Sequence, residues 1–328
     1  MGSPKTLQPI FSVSDFLASV NQTFEYAYPS VEVEGEVASF KINQNKWVFF
    51  DIKDIGGSVG CFMSVYQLRV PVQDGMKVIV RAQLKITQWG KFSLTIQAIR
   101  PSGEGSIKKS YDLLKKKLDE EGLFAPERKR ILPAIPRHIA VISSTQAAGY
   151  ADFIKIINDR WGGMRVDVAH TLVQGMDAPD QIIRAIKYFN EQADLPEVMV
   201  IIRGGGSADD LSCFNDEKLV REIAASRVPV VVGVGHEVDE TLADLAADVR
   251  AATPSNAAQI IVPDKREIIA NAVGAMRLIG NATQAQLTAT RAQVEDSLKG
   301  MLQRINDDWH LKQDWLGRTV TLLQAYNP

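Results

Sequence analysis

Three features of the sequence predict a multidomain α/β protein. Five short alternating segments lie between Val31 and Ile99, four Val/Ile-rich runs begin near residues 138, 166, 198 and 230, and no proline interrupts residues 264–327. The first feature predicts an N-terminal OB-type β-barrel, the second a doubly wound, mostly parallel α/β domain, and the third a long C-terminal helical or coiled-coil segment. The expected boundaries are residues 1–103 for the barrel, 104–137 for a basic linker, 138–263 for the α/β domain and 264–328 for the helical segment.

In the barrel region, VEVEGEV, KWVFFDIK, SVGCFMSV, MKVIVRAQLKIT and FSLTIQAI alternate apolar with polar residues and are rich in β-branched and aromatic types. Turn residues separate them: Asn43-Gln44-Asn45, Gly56-Gly57, Asp74-Gly75 and Trp89-Gly90. The preceding SVSDFLASVNQTFEYAYP has helical apolar spacing and is expected to plug or lead into the barrel. Lys41, Lys46, Trp47, Phe49, Phe50, Lys53, Arg81, Lys85, Trp89, Lys91 and Phe92 interleave cations with aromatics, a pattern suited to stacking bases and holding phosphates of a single strand. Alternation puts Trp47 and Phe49 on one face and Phe50 on the other, and Lys41, Lys46, Arg81 and Lys91 are the expected DNA-binding cations.

The linker holds nine basic residues, Lys108, Lys109, Lys115, Lys116, Lys117, Arg128, Lys129, Arg130 and Arg137, and reads either as a solvated connection or as a phosphate-attracting surface. A short helix should end at Gly122, after which Pro126, Pro133 and Pro136 keep the chain extended. The runs HIAVISS, VDVAHTLV, EVMVIIR and VPVVVGVG are spaced as repeated βα units, and their near-continuous apolar character suits strands covered on both faces. Beyond Pro263, Asp264 with Glu267 forms a capping-box pattern opening a helix. Its apolar residues, among them Ile269, Val273, Met276 and Leu287, suit one rod of about 90 Å or two shorter antiparallel helices.

Ligands of open α/β sheets bind beyond the carboxyl ends of the strands, which singles out the residues after each run. The third run ends in Arg203-Gly204-Gly205-Gly206-Ser207, where flexible backbone amides and a guanidinium can cradle a phosphate; neither a P-loop nor a dinucleotide fingerprint is present. The fourth ends in Gly233-Val234-Gly235-His236-Glu237-Val238-Asp239, with Asp239 spaced to orient the His236 ring. After the first run, Ser143, Ser144 and Thr145 can cap the next helix and offer hydroxyls to phosphate, with Asp152 about two turns in. Thr253-Pro254-Ser255 makes a further helix start where Thr253 and Ser255 face an anion. His138 and His170 read as packing or edge residues, and His310 sits in the polar-rich rod.

Composition narrows the function classes. With 45% apolar and 23% charged residues the chain is neither collagen-like nor mainly disordered, and a net charge of -2 means that any nucleic-acid role rests on local placement of charge. No apolar run approaches the ~20 residues of a membrane span and the start MGSPKTLQPI lacks a signal-peptide core, so a cytoplasmic protein without membrane contact is expected. Cys61 and Cys213 provide neither a disulfide framework nor a zinc site, and four histidines make a His-rich metal centre hard to build.

In this order, the basic GLFAPERKRILPAIPRHIAVISS, Asp152, RGGGSADDL and GVGHEVDETLADLAADVRAATPSNAA resemble the large subunit of bacterial exodeoxyribonuclease VII, from about Ser12 into the helical tail. The resemblance implies an OB-fold nucleic-acid-binding domain and an exonuclease that hydrolyses single-stranded DNA from either end to oligonucleotides with 5′-phosphates. It also implies several copies of a small subunit along the helical segment. Carried over by motif position, the catalytic residues are Asp152, Arg203, His236 and Asp239. Water then attacks the phosphodiester with His236 as general base or acid, Asp239 orienting it, and Arg203 with the Gly204–Ser207 amides stabilising the phosphorane. No cofactor is required on this reading, although His236, Asp239 and Asp152 leave room for one Mg²⁺. Three departures stand out: Gln146-Ala147-Ala148-Gly149 replaces a common T-G-A-A, Gln259 stands where an acid is common, and the chain reads as ending before the return half of the family's tail. The alternatives are a non-catalytic single-strand-binding protein and a nucleotide-cofactor enzyme with an accessory barrel.

Overall fold

The computed structural model describes residues 10–204, 211–235 and 240–326. The chain divides into two units between Asp264 and Lys265. In the first, strands β1 (Val31–Asn43), β2 (Trp47–Lys53), β3 (Ser58–Ser64), β4 (Lys77–Ile86) and β5 (Phe92–Pro101) close into a barrel of order β1-β2-β3-β5-β4. Period-two alternation builds its core: Val48, Phe50 and Ile52 point inward with Cys61, Met63, Val78, Val80 and Ile96. The β1–β2 loop is Gln44-Asn45-Lys46, in which Gln44 (φ 52°) and Asn45 (φ 51°) both take left-handed backbone and the Lys46 amide donates to the Asn43 carbonyl.

Helix α1 (Val13–Ala27) is capped by Ser12, whose hydroxyl accepts from the Asp15 amide. It does not plug the barrel, because none of its residues is buried. It lies instead against β4, where the Asn21 amide brackets the Ile86 backbone with two hydrogen bonds of 3.0 and 2.8 Å, and its Phe24 ring meets Phe92 edge-on.

Part of the expected basic linker is committed to the protein itself. Helix α2 (Glu104–Glu120) buries Leu114 and Leu118 in the core of the α/β region. Lys117 pairs with Glu217 at 2.8 Å, Arg130 with Asp248 at 2.9 Å, and the Lys129 ammonium donates to the carbonyls of Leu245 and Ala247. Burial lowers the Lys129 pKa. These cations strap the segment to the sheet's helices, which accounts for them without a phosphate.

The sheet contains β6 (His138–Ser143), β7 (Arg165–His170), β8 (Val198–Ile202), β9 (Val230–Gly233) and the two-residue β10 (Val249–Arg250), all parallel, in order β10-β9-β8-β6-β7. The short β10 has too few residues to register as a hydrophobic run. Helices α3 (Ala148–Arg160), α4 (Ala178–Glu191), α5 (Glu217–Ala224), α6 (Leu242–Ala246) and α7 (Pro254–Ile261) follow in the chain. Ile139, Val141, Val198 and Val200 pack with α3 and α7 on one face, while Ala140, Ile142, Met199 and Ile201 pack with α4, α5 and α6 on the other. Strands β6 and β8 are neighbours, and the described helices that come after them, α3 and α5, pack on opposite faces of the sheet.

Barrel and sheet meet through charge. Arg69 pairs with Asp180 at 2.7 Å, Arg81 with Asp177 at 2.7 Å, and the Glu217 amide donates to the Arg69 carbonyl. Asp216 caps α5 through the Leu219 amide and faces Arg69 at 3.7 Å; burial raises its carboxyl to about 6. A cavity of about 570 Å³ lies between the modules, lined in part by Arg69, Arg100 and Gln174.

The second unit is one uninterrupted helix, α8 (Lys265–Ala325), of 61 residues. It forms the continuous alternative of the two the sequence allowed, about 90 Å long at 1.5 Å per residue. None of its residues is buried, so Ile269, Val273, Met276, Leu287, Leu298 and Trp309 are all exposed. Among the described residues no helix is long and apolar enough to cross a membrane.

Candidate functional site

The carboxyl edge of the sheet is assembled from four chain segments that need small residues to meet. After β6, residues 144–147 turn into α3, whose N-cap is Ala147 and whose first turn receives no side-chain cap. Gly149 in that turn presses on the exit of β8: an added Cβ would stand 3.0 Å from both Gly204 Cα and Pro254 Cγ and 3.2 Å from Gly204 N. The next residue inward is Arg203, 3% exposed, whose amide donates to the Gly233 carbonyl at the end of β9. Gly233 is itself closely packed, with a Cβ there 3.3 Å from the Thr253 carbonyl and from Ala257 Cβ. Pro254 then opens α7, with Thr253 capping the Asn256 amide at 3.1 Å.

The N-termini of α3 and α7 therefore reach the same place, beside Arg203 and Gly204. The first amides of α3, which receive no side-chain cap, carry partial positive charge and point at whatever occupies the space before them. A helix start with free amides is the kind of feature that attracts anions. Asp152 is exposed on α3, just over one turn from the start because the helix begins at Ala148 and not at the serines; it has no hydrogen-bond or ion-pair partner among the described residues.

Other expected residues fall out differently. Ser143 is fully buried at the end of β6, where its carbonyl accepts from the Thr171 amide, so its hydroxyl is closed to an incoming phosphate. Ser144 is half-buried in the turn, and its carbonyl accepts from Ala147. The Thr253 hydroxyl is occupied by capping, and Ser255 is half-buried in the first turn of α7. Gly205, Gly206, Ser207, His236 and Asp239 lie outside the described residues. Among the described residues no three His, Cys, Asp or Glu side chains cluster as metal ligands do.

Two histidines expected to be packing or edge residues differ from each other. His138 is buried at the amino end of the sheet and bonds Asp167 at 2.8 Å. His170 is exposed at the carboxyl end, and its Nδ1 lies 3.2 Å from the Thr145 amide and 2.9 Å from Thr145 Oγ1.

On the barrel, Trp47 and Phe49 are exposed at 43% and 41% while Phe50 is buried, as alternation demands. Phe62 of β3 joins them: its ring centroid lies 5.1 Å from Trp47 and 5.2 Å from Phe49. Cross-strand registration sets Lys41 beside Phe49, and Lys46 adjoins Trp47 in the turn. An adjoining groove of about 880 Å³ runs between α1 and the barrel, lined by Phe49, Phe62, Lys85, Trp89 and Lys91. Lys41, Lys46, Lys85 and Lys91 make no ion pair with a described residue, whereas Arg81 is held by Asp177 and Glu32 and faces the sheet module. Arg81 is thus a docking residue and not a free cation of this face; its partners come from distant strands and loops and leave no local sign. Phe62 was legible, since alternation in SVGCFMS places it opposite the buried Cys61 and Met63. The tight contact at Gly149 has no such signature.

A family model described as exonuclease VII, large subunit, matches residues 123–325. The chain belongs to that family. An OB-fold nucleic acid binding domain model matches residues 11–100. Among curated exonuclease VII large subunits, that of Geobacter metallireducens is 37% identical over 263 residues, covering 79% of this chain and 58% of the relative. That of Clostridium acetobutylicum is 35% identical over 301 residues, covering 90% and 75%. The chain spans 58% of the length of the first of these exonuclease VII relatives. A solved replication protein A heterotrimer bound to ssDNA overlaps 23% of this chain and 58% of its own at 17% identity, with a TM-score of 0.21, too little to bear on function.

Proposed function

We propose that the chain is the catalytic large subunit of an exonuclease VII, hydrolysing single-stranded DNA from either end to oligonucleotides with 5′-phosphates. The observation that carries this reading is the convergence of Arg203, the Gly149–Gly204 contact and two helix N-termini at one sheet edge. Family membership and the exposed aromatic face of the barrel support it. The strand order and the helices on both faces favour a doubly wound sheet with its ligand at the β6/β8 crevice.

In this mechanism His236, three residues beyond Gly233, takes a proton from water as it attacks phosphorus, and Asp239 orients the ring. Charge gathers on the phosphorane oxygens, where Arg203 and the amides at Gly204–Ser207 and the α3 start stabilise it. The P–O3′ bond then breaks, the 3′-oxygen receives the proton, and the phosphate stays on the 5′ side, consistent with the proposed product. Asp152 positions water or His236 on this reading. The chemistry runs without a metal cofactor. Small subunits dock along the exposed apolar residues of α8 through coiled-coil packing, in the cytoplasm.

The test is degradation of a single-stranded oligonucleotide with and without EDTA, by the chain alone and mixed with a small subunit. Cleavage that persists in EDTA and disappears in His236→Ala, with binding retained, is expected. Binding without cleavage under every condition would leave a single-strand-binding protein. Tight saturation by a mononucleotide in place of the oligonucleotide would leave a cofactor enzyme.

A further inference from the structure

Among the described residues, few side chains hold the turn between β6 and α3. It supplies the uncapped amides and Gly149 contact on which the anion site depends, yet Ala147 offers no cap and Thr145 and Gln146 are exposed. Within it, the Ala147 amide donates to the Ser144 carbonyl at 3.0 Å. From outside it, His170 is the side chain that hydrogen-bonds residues 144–147 among the described residues.

The geometry points to His170 as a positioning residue of the phosphate-binding edge, a latch that fixes the β6–α3 turn through its Nδ1; this rests on the proposed function. His170 ends β7 in direct register with Ser143, the last residue of β6, so the ring stands next to the turn it holds. A backbone N–H can only donate, so Nδ1 must be the unprotonated acceptor and the neutral ring carries its proton on Nε2. The contact then passes along a short chain: Thr145 sets the turn, the turn sets Gly149, and Gly149 sets its close approach to Gly204 beside Arg203. A loosened turn would let the first amides of α3 swing away from the anion, and small misplacements at a reacting phosphate are costly.

Two substitutions separate a latch from a ring that touches substrate. Asn at position 170 can present its carbonyl near the site of Nδ1, while Gln extends toward Nε2. Hydrogen exchange of the Thr145 amide reads the latch directly, without any activity. His170→Ala is expected to speed that exchange about tenfold and to lower kcat/KM on a single-stranded oligonucleotide about fivefold to tenfold, the range set by one lost hydrogen bond. His170→Asn should restore both, and His170→Gln neither. Unchanged Thr145 exchange in His170→Ala overturns the inference. So does a protected Thr145 amide in His170→Asn with cleavage as poor as in His170→Ala, which would mean that Nε2 acts on the substrate. A wild-type chain that fails to cleave both alone and with a small subunit removes the proposed function, while the exchange measurement still decides the latch.

Discussion

The outer face of the barrel and the carboxyl edge of the sheet are both suited to a polynucleotide, but they are built from opposite materials. The barrel presents large side chains, with Trp47, Phe49 and Phe62 grouped on a β surface and, around them, lysines that form no ion pair with a described residue. Among the described residues the sheet edge is drawn in close by glycines at 149, 204 and 233, and on the proposed reading the groups that recognise phosphate there are backbone amides and the Arg203 guanidinium. Stacking tolerates any base and small shifts, which suits a grip on a sliding strand. Amide dipoles act over a short range and need fixed geometry, which suits chemistry on one phosphate. Precision at the edge is obtained by removing Cβ atoms, whereas affinity at the barrel is obtained by adding rings.

If that division holds, damage to the edge should abolish turnover and spare binding. The largest effect is expected for Arg203→Ala, a loss of about 10²–10³-fold in kcat, with Arg203→Lys little better because it lacks the fork. Oligonucleotide affinity measured in parallel should stay within a few-fold; a collapse in affinity would mean that the edge also grips. Gly149→Ala comes next, at about 10²-fold in kcat/KM, because the new methyl must displace Gly204 or Pro254. A variant as active as wild type would show that the close contact plays no part in catalysis.

The seam joining the two regions has its own signature. Burial raises Asp216 from 3.8 to about 6, so between roughly pH 4 and 6 the folded chain keeps a proton that the unfolded chain releases. This contribution to stability is present at pH 4 and falls away by pH 7, by about 2 kcal/mol. Urea unfolding at both pH values should show that difference in wild type and lose it in Asp216→Asn; equal slopes in the two proteins would refute the buried docking of this carboxylate. The smallest effect is expected on the barrel, where Phe62→Ala should weaken oligonucleotide binding about tenfold while kcat at saturating substrate is unchanged. A fall in kcat would erase the contrast between the two regions.

Legibility in the sequence followed the range of the interaction. Strand alternation is a property of adjacent residues, so the barrel, the outward Trp47 and Phe49 and the buried Phe50 could be read directly. The Val/Ile runs announced β6 to β9 for the same reason, but not the two-residue β10. The basic segment misled: its composition suggests solvent, yet Lys117, Lys129 and Arg130 are tied to Glu217, the Leu245 and Ala247 carbonyls and Asp248, while Leu114 and Leu118 enter the α/β core. Each of those partners lies about a hundred residues away in sequence. The start of α3 was misread as well, because serines at 143 and 144 are good caps in isolation, whereas β6 runs through Ser143 and the helix waits for Ala148.

By itself the sequence determined the order of modules, the glycine-marked strand exits and the residue types suited to phosphate chemistry, since these depend on neighbours along the chain. Tertiary structure alone decided that Gly149 must approach Gly204, that Arg81 faces the sheet module and that His170 reaches Thr145. Those outcomes depend on where separate strands end in space, a long-range property of packing that no local pattern of residues encodes.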